Sequence, residues 1–163
     1  MFRRAFLAHG LLLAGFGRQA SVRYAALSTP VRIPLEAVKT PWAPVPFKAE
    51  AVARQARRVL LSGVLFRRST TGERSELSAV CLTCTHEQCQ VDFIAEPTAL
   101  PRTDRVMTHP VFLCACHSSV FDAADDGAWI AGPAPRGLFR FRVRVDGDAV
   151  EIREVEEEAL FVV

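Results

Sequence analysis

The sequence lacks internal repeats, low-complexity segments and any patch of basic residues interleaved with aromatic ones. Its 20 lysines and arginines are nearly balanced by 18 aspartates and glutamates, which gives a formal net charge of +2. A nucleic-acid-binding protein is expected to concentrate positive charge on one face or along one element. The composition therefore indicates neither a repeat array nor a nucleic-acid partner.

The sequence also lacks a catalytic constellation of its own. It contains no nucleophile–base pair, no phosphate-binding loop and no pair of catalytic carboxylates. Half of the residues are hydrophobic and 23% are charged, so an ordinary buried core is available, and 163 residues suffice for one domain plus a leader. We expect no independent enzymatic site; redox chemistry would belong to a bound cofactor, whose potential and exposure the protein sets.

Two short stretches carry the metal-binding chemistry, Cys-Thr-His-Glu-Gln-Cys at 84–89 and Cys-Ala-Cys-His-Ser-Ser at 114–119. Two thiolates and two imidazoles suit either a zinc ion or an iron–sulfur cluster with mixed ligands. A zinc site would leave Cys89 and Cys116 without a role. Disulfides alone would leave one of the five cysteines unpaired and would explain neither histidine. The fifth cysteine, Cys81, lies in an apolar run and is expected to be a small buried strand residue.

The pattern C-x-H-x2-C followed by C-x-C-H-x-S resembles the binding loops of the high-potential Rieske [2Fe–2S] proteins. The resemblance implies one [2Fe–2S] cluster, with two cysteines on one iron and two histidines on the other. These four ligands would be Cys84, His86, Cys114 and His117. Cys89 and Cys116 would form a disulfide that ties the two loops together. Two neutral imidazoles in place of thiolates raise the reduction potential, and they link electron uptake to proton uptake.

The resemblance extends to residues around the cluster. Gly132, Pro133 and Pro135 match the proline loop that covers the cluster in cytochrome bc-type Rieske subunits, where it excludes water. Ser119 matches a serine whose hydroxyl donates to a cluster sulfur. Phe121 stands where the highest-potential members carry a tyrosine that hydrogen-bonds a ligand cysteine. Because a phenyl ring cannot donate, we expect a potential below theirs.

Two other departures from the family pattern are visible in the loops. Gln88 and Ser118 replace the usual glycines, and a side chain there is expected to affect loop geometry or access to the histidines. In addition, 24 residues separate Cys89 from Cys114, more than in typical bc-type members. We expect the extra segment, residues 94–110, to be a surface insertion suited to a particular partner.

Short alternating runs between turns predict an all-β domain of antiparallel strands with a β-sandwich base. The predicted strands cover residues 59–61, 64–68, 76–82, 111–113, 139–145 and 149–155. The resemblance implies the Rieske fold: a domain over 31–163 with a small cluster-binding subdomain inserted at about 80–136. Prolines at 34, 41, 44 and 46 predict that residues 31–48 lie extended on the surface and form no central strand.

The first 30 residues are predicted to be a leader or membrane anchor followed by a connector over residues 18–30. Arg3 and Arg4 resemble a twin-arginine export signal and precede thirteen uncharged residues, Ala5 to Gly17. That run is shorter than the roughly 20 residues that a membrane-spanning helix needs, so it favours the hydrophobic region of a signal peptide. Export would place the protein on the periplasmic side of a bacterial inner membrane, anchored or peripheral, where a disulfide persists.

These features favour an electron-transfer subunit of a quinol–cytochrome c reductase, a cytochrome bc-type complex. Its partners would be quinol, a cytochrome b subunit and a c-type cytochrome, with His117 accepting a hydrogen bond from quinol. The alternative is the small subunit of a periplasmic molybdenum oxidoreductase such as arsenite oxidase, whose partner would be a molybdopterin large subunit. A low-potential ferredoxin of an oxygenase is a third possibility, but such proteins lack the two extra cysteines.

Overall fold

The computed structural model describes residues 21–68 and 77–162, so the predicted leader and twin-arginine motif lie outside the described residues. Within these described residues, ten strands form two antiparallel sheets. In chain order the strands are β1 (Tyr24–Pro34), β2 (Val45–Val52), β3 (Arg58–Arg67), β4 (Leu77–Cys81), β5 (Asp92–Ile94), β6 (Val111–Cys114), β7 (Ser119–Asp122), β8 (Ala128–Ala131), β9 (Phe141–Asp146) and β10 (Ala149–Glu156). The predicted all-β class with antiparallel sheets is confirmed.

The larger sheet has the order β4-β3-β2-β1-β10-β9 and forms the base of the molecule. Alternation along β2 buries Phe47, Ala49 and Ala51, while the residues between them are exposed or half-buried. The two outermost strands, β4 and β9, lie close together. At this point the Cys81 amide donates to the carbonyl of Phe139, two residues before β9, at 2.7 Å. The base therefore curls around one apolar core, into which the aromatic rings of β2 and β9 both point.

One strand replaces the two that were predicted on either side of Gly63. β3 runs without interruption from Arg58 to Arg67. A β-carbon on Gly63 would lie 2.4 Å from Cζ of Phe47 and 2.9 Å from Cε2 of Phe141. The glycine thus makes room for two core rings within a continuous strand, and it does not mark a turn.

The N-terminal connector was predicted to reach residue 30, and for its last residues that prediction is wrong. β1 starts at Tyr24 and pairs antiparallel with β10, with Tyr24 opposite Glu156 and Pro34 opposite Ala149. Leu27 is buried in the core of the base. The segment joins the sheet because it pairs with the edge of β10. This contact joins the two ends of the domain, so the local sequence cannot reveal it.

The proline-rich segment was also predicted to contain no central strand, yet β2 includes Pro46 and lies inside the larger sheet. The pairing explains how a proline is tolerated there. Pro46 faces Val64 of β3, but β1 pairs with β2 at only one position, Leu27 opposite Ala51. Around Pro46 the second side of β2 is therefore an edge, where a missing N–H breaks no ladder.

The smaller sheet has the order β5-β6-β7-β8 and packs against one end of the base. Its strands surround a second core that includes Phe66 and Val80 of the base as well as Phe112 and Phe121. Cys81, predicted to be a buried strand residue, is fully buried at the end of β4. The chain leaves β4 directly into the first of the two metal-binding stretches. The boundaries at about residues 80 and 136 stay predictions.

The first residue of the predicted surface insertion, Ile94, belongs to the smaller sheet. It ends β5 and lies opposite Val111 of β6. Beyond β5 much of the segment is exposed, and Val106 is 89% exposed. It is fastened at its end, where His109 lies 2.8 Å from Asp122 and stacks on Trp42. Its suitability for a partner stays a prediction.

The C-terminal tail packs on the domain. A short helix, α1 (Ala159–Val162), buries Ala159 and Leu160 in the base core. Within residues 21–68 and 77–162, no helix has both the length and the hydrophobicity to span a membrane.

The β9–β10 hairpin presents arginines to solvent. Arg142 and Arg144 of β9 pair with carboxylates of β10, Glu154 and Glu151. Glu151 is the centre of this network: it is only 3% exposed and accepts two hydrogen bonds from Arg153, at 2.6 and 2.9 Å, and one from Arg144 at 2.8 Å. The Arg153 guanidinium, followed by that of Arg144, lowers the pKa of Glu151 from 4.5 to about 2.

Replacing Glu151 with glutamine should therefore change the acid dependence of stability. A carboxylate whose folded pKa is depressed stabilises the fold above its unfolded pKa, and that contribution is lost as pH falls from about 4.5 toward 2. Wild type should exceed E151Q in urea midpoint at pH 7, and the difference should shrink over this window. E154Q removes a more exposed carboxylate paired with Arg142 and is the control. A wild type and E151Q difference that stays constant from pH 6 to 2 would contradict the assignment.

Candidate metal centre

Two tight loops bring the predicted ligands to one end of the molecule. In the first loop, which follows β4, the Cys84 amide donates to the Cys89 carbonyl at 2.8 Å, and the Gln88 amide donates to the Cys84 carbonyl at 3.1 Å. The second loop connects β6 to β7, whose last and first residues, Cys114 and Ser119, are paired. Both loops are thus closed by backbone contacts at their bases, which fixes the residues between them.

Gln88 and Ser118 both hold a left-handed backbone, with φ of 61° and 59°. This is the conformation that glycine adopts without a steric penalty, and it is disfavoured for side chains with a β-carbon. The two departures from the family pattern therefore leave the turn conformation in place and add a local conformational cost.

A disulfide joins the loops, as the sequence resemblance implied. Cys89 and Cys116 are bonded across a sequence separation of 27 residues, with their Cα atoms 6.6 Å apart. The bridge removes conformational freedom from the unfolded chain and holds the two loop tips side by side. It also consumes two of the five cysteines, so these sulfurs are unavailable as thiolate ligands.

The two remaining loop cysteines form the inner half of the site. Cys84 and Cys114 are free thiols, each 1% exposed, and they are part of the apolar core under the smaller sheet. Burial, and to a smaller extent the neighbouring Cys114 thiol, raises the pKa of Cys84. A buried thiol whose pKa is raised is a poor nucleophile but can bind a metal cation, so Cys84 suits an iron ligand better than a reactive cysteine.

The two histidines form the outer half. The ring centroids of His86 and His117 lie 4.9 Å apart with the rings perpendicular, at 88°. Nδ1 of His86 is buried and has no hydrogen-bond partner. A buried nitrogen without a partner is costly unless a ligand satisfies it, so it fits a missing metal bond. The His117 side chain is 44% exposed, with its Nε2 3.8 Å from a carboxylate oxygen of Glu87.

A third segment, residues 132–137, lies against the second loop. Gly132 has φ of +92°, and a β-carbon on it would lie 2.5 Å from Cα of Ser119. The Ala134 amide donates to the Ser119 hydroxyl oxygen at 3.2 Å, so the hydroxyl hydrogen is left for another acceptor. Pro133 and Pro135 are exposed on the outside of this segment. The loop thus covers the site with residues that present few donors to solvent.

Phe121 is fully buried beside these groups, in the same core as Cys84 and Cys114. Its ring has no polar atom, so the site contains no aromatic hydroxyl at this position. The expectation of a potential below that of the highest-potential relatives stays a prediction.

The two loops thus hold two buried thiols, two imidazoles that face each other, and a disulfide that joins the loops. A comparison with protein families matches residues 42–155 to the Rieske [2Fe-2S] domain, which is most of the chain. The chain belongs to the Rieske family. It is therefore an electron-transfer iron–sulfur protein that binds a [2Fe–2S] cluster, and such a cluster, when bound, gains and releases one electron at a time.

Two solved structures are among those similar to this Rieske protein. The ferredoxin of carbazole 1,9a-dioxygenase from Nocardioides aromaticivorans IC177 is 22% identical over 77% of this chain and 97% of its own, with a TM-score of 0.46. The soluble domain of Rieske protein II (soxF) from Sulfolobus acidocaldarius is 15% identical over 85% of this chain and 70% of its own, with a TM-score of 0.39. No curated protein matches the chain.

The structure brings all the predicted site residues of this Rieske protein to one end, although the role of each ligand stays a prediction. It also shows contacts that sequence reasoning missed. The Trp129 indole N–H donates to the Gly132 carbonyl at 3.1 Å, and the Thr85 hydroxyl donates to the Arg136 carbonyl at 2.8 Å. Neither contact could be predicted from the sequence. The first lies in an irregular turn, and the second joins residues that are 51 apart in the chain.

Proposed function

We propose that this Rieske protein is the electron-transfer subunit of a cytochrome bc-type complex, taking electrons from quinol and passing them to a c-type cytochrome. One observation carries the proposal: the His117 side chain is 44% exposed, whereas the thiols of Cys84 and Cys114 are buried. One imidazole edge therefore faces a partner directly, while the sulfur side of the site is shielded from solvent.

The loop over residues 132–137 supports this assignment. It carries the glycine and prolines that resemble the proline loop of bc-type subunits, and its Ala134 amide is bound to the buried Ser119 hydroxyl. A rigid cover of this kind excludes water beside the cluster, which strengthens every electrostatic interaction there. It leaves the histidine edge as the accessible route for electrons.

Quinol would meet the protein at this edge. A neutral imidazole nitrogen accepts a hydrogen bond from a hydroxyl, so the exposed ring of His117 can orient a quinol head group. Glu87, with its side chain 61% exposed and 3.8 Å from the His117 ring, adds a carboxylate at the rim. We therefore expect the partner surface here to present polar or cationic groups, not a wholly apolar wall.

Phe121 favours a second candidate, the small subunit of a periplasmic molybdenum oxidoreductase. Phenylalanine occurs at this position in the Rieske small subunits of the arsenite oxidase type, which the two loops also resemble, and here the ring is fully buried in an apolar core. In that case electrons would come from a molybdopterin large subunit, and no quinol would bind. Both candidates place the protein on the periplasmic side of a bacterial inner membrane after twin-arginine export, where the disulfide is stable.

A redox titration followed by low-temperature electron paramagnetic resonance tests the common part of the proposal. Rieske centres span roughly −150 to +300 mV. A midpoint potential in the positive half supports a carrier for quinol or a cytochrome. A potential near the bottom of that span would contradict both candidates and favour an oxygenase ferredoxin.

Purification of the full-length tagged chain from membranes of its own host separates the two candidates. Mild detergent should preserve the complex, after which haem spectra and metal analysis are taken on the same fraction. Stoichiometric b-type and c-type haem supports the bc-type complex, while molybdenum without b-type haem supports the second candidate. A tagged H117A chain purified alongside controls for material retained by the tag alone.

A further inference from the structure

Glu156 is a buried carboxylate at the end of β10, far along the chain from the cluster loops. It is 1% exposed, although glutamate is rarely buried without partners. Its partners are two arginines: Arg140, whose Nε lies 2.5 Å from Oε1, and Arg136, which pairs with Oε2. The Glu156 amide also donates to the Arg140 carbonyl at 2.9 Å, so β10 and the start of β9 are joined twice.

Arg136 belongs to the loop that covers the metal centre, and its side chain fastens that loop to the base. Besides Glu156, its guanidinium pairs with Glu158 and lies 4.8 Å above the ring of Phe139. The side chain is 33% exposed, so it spans from solvent to a buried charge. Planar guanidinium groups suit such a site, because they bind a carboxylate and stack on an aromatic ring at once.

The main chain of the same residue touches the first metal-binding loop. The carbonyl of Arg136 accepts a hydrogen bond from the hydroxyl of Thr85 at 2.8 Å, and Thr85 is the residue between Cys84 and His86. Thr85 itself is 8% exposed. One residue therefore connects the buried carboxylate of the base to the loop that supplies one predicted cysteine ligand and one predicted histidine ligand.

We propose that Arg136 and Glu156 are positioning residues for the [2Fe–2S] cluster: their ion pair sets the place of the 132–137 loop and, through the Arg136 carbonyl, of the first ligand loop. Neither residue touches the cluster in this scheme. The role depends on the cluster that the family assignment implies and is the same whichever complex the protein serves.

Two uncharged variants distinguish positioning from a simple field effect. R136Q removes a positive charge and E156Q removes a negative one, so as point charges they would shift the midpoint potential in opposite directions. Positioning predicts the same outcome for both: broadened and shifted g-values of the reduced cluster, and cluster loss at 37 °C several-fold faster than in wild type. R136K, which keeps the charge but not the planar fork, should fall between R136Q and wild type.

R142Q and E154Q form the matched control pair. Arg142 and Glu154 are paired at 3.1 Å on the same hairpin, and within the described part of the chain neither side chain forms a hydrogen bond or ion pair with the loop at 132–137. These variants should keep wild-type g-values and a wild-type rate of cluster loss. If E156Q does not fold, R136Q and R136K against the control pair still decide the matter. Unchanged g-values and cluster lifetime in R136Q, or potential shifts of opposite sign as the only effect, would overturn the proposal.

Discussion

Replacing His117 with alanine is expected to abolish the cluster signal, with loss of both the visible absorption and the low-temperature paramagnetic spectrum. The ring of His117 faces that of His86 at 4.9 Å, and the same end of the molecule holds two buried thiols and a buried imidazole nitrogen without a partner. A [2Fe–2S] centre that loses one of its four protein ligands cannot keep its coordination.

The H109A variant is the matched control for this experiment. His109 is also a partly exposed histidine beside a carboxylate, but its neighbour is Asp122, and it stacks on Trp42. Removing it should weaken the attachment of the insertion and leave the cluster spectrum intact. A normal spectrum in H117A would refute the ligand assignment, and loss of the spectrum in both variants would indicate a folding defect instead of a missing ligand.

A zinc site and a [2Fe–2S] cluster would give different results in a metal analysis of the wild-type protein. Metal analysis of wild type should give two irons per chain with inorganic sulfide, and no stoichiometric zinc. Because Cys89 and Cys116 are already joined, their sulfurs cannot compensate for a lost histidine. The H117A experiment thus tests the ligand set directly.

The metal centre could be predicted from the sequence because its information is local. Each loop is a short turn in which two predicted ligands and one disulfide cysteine lie within six residues, and this pattern carries the resemblance to the Rieske family. The strands of the β9–β10 hairpin could also be predicted from the sequence, since the alternation of Arg142, Val143 and Arg144 indicates which face of β9 is exposed. Spacing and alternation of this kind can be recognised without knowledge of the rest of the fold.

The base could be predicted only in outline, because its assembly depends on contacts between distant segments. Nothing near Tyr24 specifies that it pairs with Glu156, and the single pair between Leu27 and Ala51 cannot be inferred from either strand. The tolerance of Pro46 within a central strand follows from that sparse pairing. The ion pair of Arg136 with Glu156 joins residues 20 apart and depends on how the whole sheet curls.

Gly132 is the position at which a single methyl group should do most damage without touching a ligand. A β-carbon there would lie 2.5 Å from Cα of Ser119 and 2.6 Å from the carbonyl oxygen of Ser118, both backbone atoms of the second ligand loop. Backbone cannot swing aside as a side chain can, so G132A must displace the loop itself. Overpacking of this kind costs about 1–3 kcal/mol, and the positive φ adds about 1–2 kcal/mol.

G132A is therefore expected to unfold at lower urea concentration and to lose its cluster much faster than wild type. The loop at 132–137 would also lose its contact with Ser119, whose hydroxyl oxygen accepts the Ala134 amide. The measurement is a urea titration of the oxidised protein, with absorbance of the cluster and circular dichroism of the fold recorded on the same samples.

G147A separates the two causes. Gly147 also has a positive φ, +62°, but a β-carbon there would meet no atom within 4 Å. Its substitution should carry only the backbone cost and leave the cluster lifetime unchanged, because it lies in the turn between β9 and β10. Equal effects of G132A and G147A would mean that backbone strain alone matters. A large loss of cluster confined to G132A would show that contact between the covering loop and the second ligand loop holds the metal centre in place.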